Sequence, residues 1–377
     1  MLCTGLIRTG WSEARDAGQA VRELHAQIGS DEVGSGFFFC SSRHDLEAVG
    51  AAMTEAFGDS MVGCTTAGEI TPGGYSERGL TGFFVPESCG RINHYLLEDI
   101  TSLDLERIGD IGDRVTRARN EDVELDQAQN EFGLLLIDGM SVMEEQVVGA
   151  LKAAVGGLPL VGGSAGDDTR FRETWVFHGG RFHSNAAIFS HVRTSRAVHV
   201  FKTQHFEPTE TKLVITKAIP EKRLVTEING RSAAGEFARL VGHEVHELNA
   251  AVFSRYPVML KVGGEYYVRS IQQAGPDGSL TFYCAIDEGL VLTMARSLDF
   301  VEQLSGALAE VQEIIPDPEL LIGFECILRR LEVLDKKISR EVGAIMAESN
   351  VVGFHTYGEQ FGALHVNQTF TGVAIGR

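Results

Sequence analysis

The chain has 377 residues, 44% hydrophobic and 23% charged, a globular composition long enough for two cores. Its 33 basic residues against 52 acidic ones leave a net charge of -19, which argues against nucleic acid and against an anionic membrane surface as partners. No apolar run reaches the roughly 18–20 residues of a membrane span, the N-terminus lacks a basic-then-apolar leader pattern, and six scattered cysteines show no CxxC spacing, so a cytoplasmic protein with reduced thiols is expected.

In chain order, residues 3–9 read as a short strand, and Ser12 as the cap of a helix running to about Ile28, where Ala17, Val21, Leu24 and Ile28 recur at helical spacing. The apolar run 37–40 is the first central strand, followed by a helix at 44–57 and a strand entering the turn Gly63-Cys64-Thr65-Thr66-Ala67-Gly68-Glu69. Thr71-Pro72-Gly73-Gly74 is turn chemistry, and 80–85 a further strand. A helix is expected at 101–118, then an exposed acidic, Gln-rich connection at 120–130.

A second strand (133–137), helix (141–156) and strand lead into Gly162-Gly163-Ser164-Ala165-Gly166-Asp167. From 175 to 228 the pattern becomes antiparallel β, with Gly179-Gly180 as a hairpin turn and strands at 185–192, 198–205, 212–219 and 224–228. Asn229-Gly230 is a tight turn before a helix at 232–240; strands follow at 258–262, 266–271 and 280–286, and then a helix at 297–313 ended by Pro316 and Pro318. The last strand (320–324), a helix at 327–348 and the run Val351-Val352-Gly353-Phe354-His355-Thr356-Tyr357-Gly358-Glu359 close the chain with a strand over 366–375.

One unit is thus written three times: strand, helix, strand, glycine turn ending in an acid, strand. The uneven spacing of the copies excludes a solenoid. The fold expected is α/β, with α+β mixed sheets in two domains, because the central strands are apolar enough to be covered on both faces. The boundary is placed near 205–222, after a terminal strand and helix at 1–29.

Glycine turns of this kind aim backbone N–H groups at anions, and Thr65, Thr66, Ser164, Thr356, Tyr357 and Glu359 would add side-chain hydrogen bonds. The alternative is that the glycines only let strands reverse where φ is positive. Among twelve histidines, His355 and His365 flank the last turn and lead as iron-ligand candidates; His178 and His183 bracket a hairpin and read as turn residues. His243-Glu244-Val245-His246-Glu247 is not HExxH and reads as a solvated helix end. Cys64 at a turn and Cys326 before a helix are candidate thiols, with buried apolar packing as their default reading. No phosphate-loop pattern, acid-base pair or nucleophile constellation is present, so turnover is not expected.

The turns at 63–69 and 162–167, with Asn229-Gly230, Tyr256-Pro257, Arg269, Cys326 and the run from Tyr357-Gly358-Glu359 to His365-Val366-Asn367-Gln368-Thr369, resemble the FIST sensory family. Many members read His-Asn-Gln-Thr directly, whereas here Val366 intervenes. The resemblance covers nearly the whole chain and implies an N-terminal FIST domain at 30–220 and a C-terminal one at 221–377. It further implies a ligand-sensing input module similar to the bacterial nitric-oxide-sensing haemoproteins of the family: haem b in an apolar cleft between domains, with His355 or His365 as axial ligand, nitric oxide as the gaseous ligand, and a partner histidine kinase in a two-component pathway linked to biofilm formation. A homodimer is compatible with that role. The alternative is a haem-independent module for an amino-acid-like small molecule, with the polar turns as its rim.

Overall fold

The computed structural model describes residues 6–29, 32–121 and 130–377. Cys3 with the start of the strand expected at 3–9, and residues 122–129 of the acidic connection at 120–130, lie outside the described residues. The α/β fold with mixed sheets is observed, arranged as three six-stranded sheets and one eight-stranded sheet.

Each repeated unit forms a parallel pair with a helix crossover. Gly34–Ser41 pairs in parallel with Met61–Thr66, Asn130–Ile137 with Leu160–Ser164, and Leu320–Cys326 with Val351–Thr356. The helices between them are Leu46–Phe57 and Glu144–Val155 in the first two units. In the third, the single helix expected at 327–348 is two, Ile327–Asp335 and Ser339–Glu348, with Lys337 at φ 60° breaking the run between them. The first helix starts at Ala17 with Asp16 as its cap, accepting from Gln19 N at 2.7 Å; Ser12 instead ends the strand Arg8–Ser12.

The units are interlocked in a cycle. The hairpin after the first turn, Glu69–Thr71 with Gly74–Ser76, adds to the strand Val351–Thr356 of the third unit. The hairpin after the third turn, Glu359–Phe361 with Leu364–Val366, adds to Leu160–Ser164 of the second. The hairpin Val176–His178 with Arg181–His183, downstream of the second turn, adds to Met61–Thr66 of the first.

Phenylalanine rings fill the space that the three sheets enclose. Phe37, Phe39, Phe132, Phe324 and Phe354 meet there with aliphatic side chains from all three sheets, and Phe39 stacks near Phe354 at a centroid distance of 4.7 Å. The outer faces are covered by helices, among them Ala17–Ile28, Glu144–Val155 and Phe300–Ile314. Burying apolar residues on both faces is what the continuous apolar runs demanded.

The chain leaves this body at Phe206 and returns to it at Phe300. The intervening residues form the eight-stranded antiparallel sheet, whose core gathers Ile215, Phe237, Phe253, Val258 and Leu292. Two of the body's and sheet's long strands, Gly90–Glu98 and Val291–Ser297, had no counterpart in the sequence reading. Among the described residues no helix is long and apolar enough to cross a membrane.

Candidate functional site

The three glycine turns meet. Ala67 N donates to His355 O at 2.9 Å, and His355 N to Gly68 O at 2.8 Å; Ser164 N donates to Gly358 O at 2.9 Å, and Gly166 N to Thr65 O at 3.0 Å. The first glycine of each strand is there for close approach: a Cβ on Gly63, Gly162 or Gly353 would stand 2.2, 2.0 or 1.7 Å from a carbonyl oxygen of the parallel neighbour. Gly68 and Gly358, at φ 123° and 153°, are there for conformation. The reading that glycines let the chain turn at positive φ therefore holds at Gly68 and Gly358, while close strand approach at Gly63, Gly162 and Gly353 is a further role.

The first and third turns are built alike. Thr66 Oγ1 accepts from Gly68 N and donates to Glu69 at 2.5 Å; Thr356 Oγ1 accepts from Gly358 N and donates to Glu359. The second carboxylate oxygen accepts from a backbone N–H ten residues on, Gly79 at 2.9 Å or Thr369 at 3.3 Å. Both carboxyls are completely buried, and burial pushes each up to about 8. The second turn differs: Asp167 gathers the backbone N–H groups of Phe171, Arg172 and Glu173 at 2.8–3.2 Å, and receives the Tyr357 hydroxyl. Tyr357 stacks on Phe171 at 4.6 Å. Thr65 is a tie, its Oγ1 accepting from Trp175 N at 3.1 Å.

His355 and His365 point into different surroundings. His355 is fully buried, with the Tyr75 ring edge-on at 4.6 Å and Glu325 3.4 Å from Nδ1. Burial, reinforced by Arg330 and Arg329, keeps it neutral. Behind it runs a charged chain: Glu325 accepts from Tyr75 and from Arg329 Nε at 3.0 Å, Arg329 Nη1 meets His205 Nδ1 at 2.7 Å, His205 Nε2 meets Glu332 at 2.8 Å, and Glu332 holds Lys336 at 2.6 Å. Only Lys336 reaches solvent, at 41% exposure.

His365 lies where the third turn faces the eight-stranded sheet. Arg269 from that sheet donates to His365 O at 3.0 Å, and Gln360 Nε2 bridges Ser164 Oγ at 2.9 Å and His365 Nδ1 at 3.4 Å. The Gln368 side chain joins Ser270 Oγ at 3.1 Å to Ser254 O at 2.8 Å. Nearby Arg223 clamps Glu144 and Glu145, each at 2.6 Å, so the helix Glu144–Val155 is tied to the sheet. Burial holds His365 neutral. Within this junction Gln360 Oε1, His365 Nε2, both amide atoms of Asn367 and Arg269 Nε are buried without a protein hydrogen-bond partner.

The chain is matched by the family models "FIST N domain" at residues 35–231 and "FIST C domain" at 233–362. This chain belongs to the FIST family. FIST domains are sensory domains of signalling proteins. This FIST protein is also 23% identical to an uncharacterized protein of Methanocaldococcus jannaschii, over 84% of this chain and 67% of that one. The FIST N match spans the first two repeated units, while the third unit, from Leu320, falls in and beyond the FIST C match.

Of the residues expected at the site of this FIST protein, Thr66, Ser164, Thr356, Tyr357 and Glu359 shape the turns, and His355 and His365 flank them on separate sides. The sequence reading had no place for Gln360, Glu325, Tyr75 or Arg223, and Asn367 entered it only as part of the run that carries the resemblance. One signal was available, since aligning Glu69 with Glu359 sets Tyr75 against His365 and Glu77 against Asn367. His178 and His183 are half-buried, with His183 Nε2 on His178 O at 3.1 Å. His243 is bonded to Glu247 at 3.3 Å beside a single helical turn, and among the described residues no group of three or more His, Cys, Asp or Glu is placed to hold a metal. Cys64 and Cys326 are buried, and burial pushes both thiols well up, away from thiolate.

The histidines do not fit a porphyrin in this conformation. His365 Cε1 lies 2.2 Å from where a Cβ on Gly358 would stand, and His355 is held between Tyr75 and Gly68, with Glu325 and Arg330 against it. Each has a free ring nitrogen, as an axial ligand needs, but the surroundings are charged and closely packed where an apolar cleft was expected.

Proposed function

We propose that this chain is a sensory module that binds a small, polar, amino-acid-like molecule at the junction between the third glycine turn and the eight-stranded sheet, without turning it over. The observation that carries this reading is the group of buried, unpartnered polar atoms on Gln360, His365, Asn367 and Arg269. Such atoms cost about 1–3 kcal/mol each when left unmade, so the site calls for an occupant with both donors and acceptors. Asn367 Nδ2 and Arg269 Nε offer donors, Gln360 Oε1 and Asn367 Oδ1 acceptors, and His365 Nε2 either. Because body residues and sheet residues both contribute, an occupant would tighten the joint, and a partner histidine kinase, the receiver implied by the family resemblance, would read that change.

Thermal-shift screening with single amino acids and their decarboxylated and deaminated analogues tests this. A ligand at about 100 times its dissociation constant stabilises by about 2.7 kcal/mol, and Asn367→Ala should abolish the shift. The haem b and nitric oxide reading is tested on the same preparation. A sharp Soret band after stoichiometric haem addition, altered by His355→Ala or His365→Ala and by nitric oxide, would replace the polar-ligand reading.

A further inference from the structure

Val198–Thr203 is a six-residue strand that pairs with Phe370–Ile375. Among the described residues this strand ends its six-stranded sheet. Gly376 N donates to Ala197 O at 2.9 Å, in register with the ladder from Val198↔Ile375 to Thr203↔Phe370. Hydrogen-bonded and non-bonded pairs alternate in an antiparallel ladder. His199, Phe201 and Thr203 therefore face the strand Phe370–Ile375 with their N–H and C=O groups, and Val198, Val200 and Lys202 turn theirs outward.

An exposed edge of this kind is a template for another chain unless it is blunted by proline, a bulge or a covering element. Here the edge is flanked by open grooves. One, of about 460 Å³, lies between the strand and the helix Phe300–Ile314; the other, of about 380 Å³, lies beside Pro159 and Leu160, and His199, Val200 and Phe361 line both. An added strand sends successive side chains to opposite faces, and these two grooves stand where such side chains would go.

Charge selects the occupant. The helix Phe300–Ile314 carries Glu302, Glu310 and Glu313 and neither lysine nor arginine, and its Glu310 lines the first groove. Glu265 faces the same groove and already holds Lys202 at 3.8 Å, beneath which lies the Tyr267 ring at 4.3 Å. Glu131 borders the second groove, paired with Arg119 and His191. A chain carrying -19 overall repels a second copy of itself along such an edge.

We propose that Val198–Thr203 receives an extended segment of a partner protein, rich in alternating apolar and basic residues, by strand addition. Backbone pairing to Val198, Val200 and Lys202 supplies the affinity, and the two grooves and the acidic helix set the preference. The assay is titration of a labelled peptide of alternating valine and lysine against the full chain. Its control is the same peptide N-methylated at alternate residues, which keeps every charge and removes the donors.

N-methylation, Val200→Pro and the double change Glu310→Lys with Glu313→Lys should each weaken binding about tenfold or more, with Val200→Thr within about twofold of the parent. Circular dichroism checks the fold of each variant. Amide exchange at Val200 and Lys202 should be fast in the free protein and slow in the complex, a readout needing no variant. Equal binding of the N-methylated peptide, or unchanged exchange at these amides, overturns the proposal. So does a dimer in sedimentation that Val200→Pro abolishes, since a second copy would then hold the edge.

Discussion

Asn367→Leu separates a ligand site from a structural polar cluster. Both Asn367 amide atoms are fully buried and unpartnered, and the residue is 0% exposed. Leucine has the same branched heavy-atom shape with bulkier methyls, so the change opens no cavity, and it removes two unmade hydrogen-bonding groups worth about 1–3 kcal/mol each. Allowing for imperfect packing, the ligand-free protein should gain about 2 kcal/mol. The unfolding entropy expected for this length is roughly 0.8 kcal/mol/K, so Tm should rise by about 2.5 °C. Scanning calorimetry on protein stripped of small molecules by unfolding, dialysis and refolding measures this, and the same variant should show no shift with any ligand that stabilises the parent. A fall in Tm of a few degrees would refute the reasoning, because Asn367 would then be satisfied by permanent internal water and would serve the fold alone.

Glu69 and Glu359, folded at about 8 against roughly 4.3 unfolded, keep protons that the unfolded chain releases. Their contribution is fully present below about pH 4.3 and is lost as pH rises to 8, with a slope of about -1.4 kcal/mol per pH unit for each. Urea denaturation from pH 5 to 8 should show the decline, and Glu69→Gln with Glu359→Gln should flatten it. Gly353→Ala places a Cβ 1.7 Å from Gly323 O and should cost more than about 4 kcal/mol, seen as loss of soluble protein or of its cooperative melt. Arg329→Ala leaves Glu325 buried without its ion pair and His205 without its neighbour, for a loss of about 3–5 kcal/mol in urea; a loss under about 1 kcal/mol would contradict the pairing.

The repeated units were legible because their signals are local. Apolar strands such as Phe37 to Cys40, helical spacing through Val49 and Met53, and the glycine-acid turns are each written within a few residues. The exchange of hairpins was not legible, since nothing near Glu69 or Ile70 encodes a strand more than 280 residues away as their partner. The split of the last helix was missed because Ile338 and Val342 keep the apolar spacing across Lys337, so the periodicity survives a break in the backbone. At the site, His355 and His365 stood out by type and position, whereas Gln360 and Asn367 matter for what they lack in three dimensions, a partner. Arg329 and Arg330 belong to a charge-rich helix whose polar face reads as solvated, yet both are buried, with Arg329 paired to Glu325.

The cyclic hand-off of hairpins bears on how the body comes apart. Loss of any one repeat uncovers a strand on the next and withdraws a turn from the common centre, so the three should melt together as a single cooperative event. Single repeats are then not separable modules. A change felt at one turn reaches the other two through backbone bonds, which gives a sensor a short mechanical route from its interior to every sheet.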